Sequence, residues 1–280
     1  MRFRRNRETI YNLDSQLTVT PLRKPSPPNS SKPEPPGVVQ PATGNLKGKV
    51  ALLTGATLGI GLATAHALAA ERCNLIICGR NRARLARAKA DLFRKNIRVL
   101  AYTCDVSDEG SVARMFASVR KQFSRLDILI NSAGIAHAFS PVEELSVQQW
   151  NDTLATNLTG TFLVTRAALP LMSRGGSIVN LLSMSSKRAF PNLAAYNASK
   201  FGALGFTNTL REELRREGIR VIAILPGSTD TPIWDTLWPE APRHKMMRPE
   251  TVASALVSAL KLPPESTVEE LDLMPTTGAL

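Results

Sequence analysis

Histidine and cysteine are scarce in this 280-residue chain, three of each. Cys73, Cys78 and Cys104 are odd in number and have no C-x-x-C spacing, so neither a disulfide framework nor a cysteine metal site is expected. Reduced, packed thiols are expected instead, which suits a cytoplasmic protein. No cluster of metal-ligating side chains stands out, so no metal is expected. No uninterrupted apolar run approaches the roughly 18 residues of a membrane span, and the chain does not open with the apolar stretch of a secretory signal. The formal charge is +12, yet charged residues make up only 21% of the chain and are scattered. Without a basic stripe, no nucleic-acid partner is expected.

What is present divides at about residue 46. Residues 1–46 open with Arg2, Arg4, Arg5 and Arg7 and hold eight prolines between Pro21 and Pro41. Such a segment reads as a disordered basic tail, because it cannot bury a core. An organelle-targeting peptide would share the arginines, but Glu8, Asp14 and the prolines argue against one.

From Lys47 onward, short apolar runs alternate with amphipathic stretches. Strands are expected over residues 50–53, 74–78, 97–102, 126–130, 177–182, 219–225 and 268–273. Most runs are continuously apolar, as a parallel strand covered on both faces requires. Val112, Met115, Phe116, Val119 and Phe123 form one helical stripe. The order predicts a single Rossmann-type, doubly wound α/β domain over residues 47–280, with a mostly parallel seven-stranded sheet flanked by helices. Its ligand should sit at the carboxyl ends of the strands.

Directly after the first strand comes Thr54-Gly55-Ala56-Thr57-Leu58-Gly59-Ile60-Gly61, followed by an alanine-rich helix. Glycines there let the backbone approach a pyrophosphate, whose charge would sit at the helix N-terminus. About twenty positions on, an acidic residue would accept from a ribose 2′-hydroxyl and repel a 2′-phosphate. Gly79-Arg80 stands there instead, with Arg82 and Arg84 close behind. A guanidinium pairs with a phosphate, which favours NADP(H) over NAD(H).

Tyr196 and Lys200 are four apart in an apparent helix and share one face. A neighbouring ammonium would favour the phenolate and lower the tyrosine pKa toward a useful acid–base range. Ser183 ends the fifth strand, where a hydroxyl can hold a substrate oxygen, with Ser185 and Ser186 as alternatives on the same loop.

With its T-G-x-x-x-G-x-G turn and Y-x-x-x-K helix, the chain from Lys47 on resembles the short-chain dehydrogenase/reductase family. The resemblance implies a cofactor site at Thr54, Gly55, Thr57, Gly59, Ile60, Gly61 and Arg80, with Asp105 and Val106 near the adenine. It implies that Asn131, Ala133 and Gly134 lie along the cofactor and steady the sheet, Ser132 replacing the family's second asparagine. Pro226, Gly227, Thr229 and Thr231 belong to the segment that wraps the nicotinamide. Tyr196 and Lys200 also touch the cofactor, and the catalytic set is Asn157, Ser183, Tyr196 and Lys200, with Asn157 linking the lysine to solvent through water.

The implied activity is interconversion of a carbonyl and an alcohol on a small molecule. Residues 135–141 and 233–247 should form the mouth, the second within a lid over about 230–248. Trp234, Leu237, Trp238, Met246 and Met247 suit an apolar substrate, or equally helix packing. Arg243, Lys245 and Arg248 offer a basic rim to an acyl-carrier protein, which would make the enzyme a 3-oxoacyl-thioester reductase. A sugar-alcohol or hydroxy-amino-acid dehydrogenase also fits. A non-catalytic NADP-binding scaffold would have no use for the serine–tyrosine–lysine set. His137 reads as an exposed loop residue and His66 as structural. The family's habit implies a homodimer or homotetramer built on the Tyr196 helix, around Phe201, Leu204, Phe206 and Leu210.

Overall fold

The computed structural model describes residues 44–278, so the proline-rich tail expected over residues 1–46 lies outside it except for its last three residues. Of these, Leu46 is buried, and the Gly44 amide donates to the Lys261 carbonyl at 2.7 Å.

The chain alternates strand and helix. In order it forms β1 (Val50–Thr54), α1 (Gly59–Ala70), β2 (Asn74–Gly79), α2 (Arg82–Phe93), β3 (Val99–Thr103), α3 (Glu109–Arg120) and β4 (Ile128–Asn131). Then follow α4 (Val147–Leu154), α5 (Gly160–Ala168), β5 (Ser177–Leu181), α6 (Ala194–Arg215), β6 (Arg220–Pro226), α7 (Trp234–Leu237), α8 (Pro249–Leu260) and β7 (Glu270–Leu273). The seven strands make one sheet in the order β3-β2-β1-β4-β5-β6-β7, and every pairing is parallel. The order reverses direction between β1 and β4, which opens the crevice at their carboxyl ends.

Continuous apolar strands are explained by two cores. Ala51 and Leu53, Leu75 and Ile77, Ile128 and Ile130 face the layer of α1, α2 and α8. Val50 and Leu52, Ile76 and Cys78, and Leu129 face the layer of α3, α5 and α6. Each fully buried Leu or Ile contributes roughly 1.5–3 kcal/mol of transfer free energy.

Helix starts follow from their caps. Asn81 accepts from the Arg84 amide, Asp108 from Gly110 and Ser111, and Ser146 forms a capping box with Gln149. Helix α1 differs, since no side chain caps it and its first turn holds no acid.

Strand edges depart from expectation by at most two residues. Strand β4 begins at Ile128, and just ahead of it the Asp127 carboxylate accepts from the Val50 amide at 2.8 Å. Val268 precedes β7, and Phe123 follows the end of α3 while still packing on its core.

Candidate active site

A single cavity of about 900 Å³ runs along the carboxyl ends of the strands. At one end lie the β1–α1 turn and the residues after β2 and β3. At the other lie Ser183, Tyr196 and Lys200.

The turn is shaped by close approach. Gly55 has φ +64°, and a Cβ there would stand 2.8 Å from the Ala133 Cα. At Gly61 a Cβ would collide with the Gly55 carbonyl oxygen and the Ser132 hydroxyl. The uncapped amides of α1 therefore meet the cavity without a side chain between. Beyond them Gly79, Arg80, Asn81 and Arg84 line the wall, with Asp105 and Val106 opposite. Burial works against the Asp105 carboxylate, but the Ser107 hydroxyl and amide and the Arg80 charge hold its pKa below the usual range.

Tyr196 and Lys200 sit one turn apart near the start of α6, 9% and 6% exposed. Ser183 follows β5, and its hydroxyl accepts from the Ser185 amide at 3.1 Å to cap a one-turn helix, Met184–Ser186. Ser185 reaches the cavity and Ser186 does not. Only Ser183 bears on the phenol itself, drawing its pKa down.

The Tyr196 pKa moves opposite to expectation. Burial raises it, outweighing Ser183, and Lys200 contributes nothing resolvable. The reason is that Lys200 is itself desolvated, which pushes its ammonium down to about 8. Its Nζ donates to the Leu181 carbonyl at 3.2 Å.

The sequence profile of the short chain dehydrogenase family matches residues 49–242. The chain belongs to that family. Over 223 residues it is 38% identical to the D-threitol dehydrogenase of Mycolicibacterium smegmatis, covering 76% of this chain and 85% of that one. It is 37% identical over 191 residues to the 3beta-hydroxysteroid dehydrogenase of Mediterraneibacter gnavus, covering 68% and 69%. An alcohol dehydrogenase of the archaeon Thermococcus sibiricus, solved with 5-hydroxy-NADP, superposes with a TM-score of 0.77. That pair shares 30% identity, covering 82% of this chain and 97% of the other. This short-chain dehydrogenase is an oxidoreductase by family.

Several residues expected in the site support it from behind. Thr54 does not line the cavity, and its hydroxyl accepts from the Ser132 and Ala133 amides at 3.0 Å each, fastening β1 to the loop after β4. Asn131 is also absent from the cavity wall. Its Nδ2 donates to Thr165 and Asn180 at 2.9 Å, and Asn180 in turn donates to Thr207 at 2.8 Å. This buried chain ties the short-chain dehydrogenase sheet to α5 and α6. Asn180 was not anticipated, because a lone polar residue in a strand carries no periodic signal.

Asn157 occupies a π-turn, Ala155–Thr159, between α4 and α5. Its Oδ1 accepts from the Ile135 amide at 2.8 Å, while Nδ2 donates to the Ile135 carbonyl at 2.9 Å and to Ser199 at 3.0 Å. The side chain thus holds the loop beside Lys200 rather than the lysine itself.

Three features of the mouth differ from expectation. His137 is buried at 4% exposure rather than exposed, with Nδ1 2.7 Å from the Ala138 carbonyl. Met246 and Met247 do not line the cavity: Met247 pairs with Thr229 and packs on the core. Arg243 is not a free rim cation, since it binds Asp230 at 2.8 Å, Asp235 at 2.6 Å and the Thr231 carbonyl at 3.0 Å. Trp234, Leu237 and Trp238 do line the cavity as expected, joined by Phe139, Phe190 and Leu193. Among the described residues no helix is long and apolar enough to cross a membrane, and no acidic, histidine or cysteine cluster suits a metal.

Proposed function

We propose that the chain is an NADP(H)-dependent oxidoreductase that interconverts a carbonyl and an alcohol, with Tyr196 exchanging the proton. The carrying observation is that one cavity joins an uncapped helix start and two arginines to Ser183, Tyr196 and Lys200. A dinucleotide fits that donor set: the α1 amides would take its pyrophosphate, and Arg80 and Arg84 would take a 2′-phosphate that no acid at position 79 repels. The 5-hydroxy-NADP in the Thermococcus structure supports the same choice. When bound, the nicotinamide supplies or takes up the hydride.

Ser183 and Tyr196 would hold the carbonyl oxygen, so charge developing there meets donors already in place. Because burial raises its pKa, the phenol is protonated at neutral pH and ready to give its proton in reduction. Lys200 has a pKa of about 8 and can itself exchange a proton near neutrality. Asn157 would connect it to solvent through water. The reverse transfers carry the oxidation.

Reduction of a carrier-bound 3-oxoacyl chain is the weaker reading, since Arg243 is committed to two carboxylates and only Lys245 and Arg248 of the basic rim stay exposed. A non-catalytic scaffold has no need of three converging polar side chains. Three free thiols support a cytoplasmic setting, and exposed Phe162 and Phe201 support a homo-oligomer.

The test is NADPH oxidation against a panel of aldehydes and ketones, with the alcohol identified. Turnover with NADPH supports the reading; absence of turnover with any carbonyl, or a preference for NADH, contradicts it.

A further inference from the structure

The apolar end of the cavity is built around the reacting residue. Leu193, Tyr196 and Leu237 form one buried cluster, against which Ala136, Phe190 and Trp234 pack. The Trp234 indole N–H donates to the Thr229 carbonyl at 2.9 Å, so its ring is fixed to the segment after β6. Outside this cluster, at the opening, stand Phe139 and Trp238, both lining the cavity and 44% and 37% exposed. They come from the two loops of the mouth, which meet where the Phe139 amide donates to the Leu237 carbonyl. Their ring centres are 6.4 Å apart at 40°, an aromatic pair that forms one continuous wall.

Charge is spoken for at this end. Asp235 lines the wall but is bound by Arg243, and Lys200 belongs to the catalytic group. A substrate carboxylate or phosphate would find no free cation among the lining residues here. Polarizable ring faces are what the opening offers, and they favour a flat, neutral ligand that can stack.

We propose that this mouth selects neutral flat-ring ketones and their alcohols, aryl or fused-ring, over acyclic and polyhydroxylated ones, and that Phe139 and Trp238 are the residues that decide it. The proposal rests on the reading of Tyr196 as the reacting end of the cavity. The ring system lies against the two aromatics while its carbonyl reaches Ser183 and Tyr196.

The experiment compares 2-tetralone with 2-decanone, ten carbons each, on the NADPH-loaded enzyme, measuring kcat/KM and the quenching of tryptophan fluorescence. Intrinsic reactivity cancels when each variant is compared with the parent chain. Phe139→Ala and Trp238→Ala should each lower the 2-tetralone to 2-decanone ratio of kcat/KM at least about tenfold, mostly through KM. Phe139→Tyr and Trp238→Phe should restore it. Quenching by 2-tetralone should be strong in the parent and weak in Trp238→Ala. A ratio unchanged in both alanine variants overturns the proposal and leaves the oxidoreductase reading standing. Absence of turnover with both ketones, accompanied by tight 2-tetralone quenching that Trp238→Ala abolishes, supports the mouth and overturns the reading of the chemistry instead. Absence of both turnover and quenching overturns the two together.

Discussion

The Lys200 ammonium lies over the Tyr196 ring, 5.6 Å from its centre, and its hydrogen bond goes to the Leu181 carbonyl. No carboxylate offsets its burial, and its pKa falls from 10.5 to about 8. Burial therefore disfavours the charged form of this lysine.

Replacement of Lys200 should separate stability from activity. Between pH 8 and 10.5 the unfolded chain holds a proton on this lysine that the folded chain has released, so stability rises with pH across that window. Below pH 8 both states are protonated and the full penalty applies, up to about 3 kcal/mol. Lys200→Met should raise the melting temperature at pH 7 by several degrees, gain little at pH 10.5, and abolish turnover. Calorimetry across that range checks it.

Cofactor choice should respond to two neighbouring positions, 57 and 79. A Cβ at Gly79 would meet the Thr57 Cγ2 at 3.0 Å, so Thr57 stands where a side chain at position 79 would begin. Gly79→Asp alone should therefore disturb the turn, whereas Gly79→Asp with Thr57→Ser should bind NADH better than the parent does. Arg80→Ala should weaken NADPH binding by roughly tenfold to a hundredfold, the effect of losing a charged hydrogen-bond partner. Cofactor titration followed by fluorescence measures both.

Asn131 should matter for the fold more than for the cofactor. Asn131→Ala leaves the Asn180 and Thr165 acceptors without their donor inside the core, at a cost of about 1–3 kcal/mol. The expected result is a lower melting temperature with NADPH affinity little changed, measured on the same sample.

Exposed apolar side chains on the helices beside the site predict self-association. Val147 and Trp150 on α4, Phe162 on α5 and Phe201 on α6 lie open to solvent, and Phe162 meets Phe206 edge-on at 6.1 Å. Light scattering should give at least twice the 30.4 kDa chain mass, and Phe201→Arg should shift it toward that mass.

Buried parallel strands were legible in the sequence because both faces of each are covered, leaving the run of apolar residues unbroken, as at Leu75, Ile76 and Ile77. Their ends were not, since bonds at a strand end depend on partners distant in sequence, as where the Asp127 carboxylate accepts from Val50 before β4. Tyr196, Lys200, Ser183 and the glycine turn were legible because spacing on a helix, a strand end and a turn fixes which way they face. Asn131 and Thr54 read as cofactor contacts, and the support they give was not legible, because the direction of a hydroxyl or amide depends on partners across the sheet. The π-turn at Asn157 has no local signature and arises where its amide reaches the Ile135 backbone. His137 was misread because the Phe139 and Ser140 amides, bound to Leu237 and Asn192, draw its loop inward.

The proposed proton transfer from Tyr196 is isolated by Tyr196→Phe, which removes the phenol oxygen and keeps the ring. NADPH oxidation should fall at least about a thousandfold in that variant, while the NADPH dissociation constant stays within about threefold of the parent value. Carbonyl reduction at the parent rate in Tyr196→Phe would contradict it.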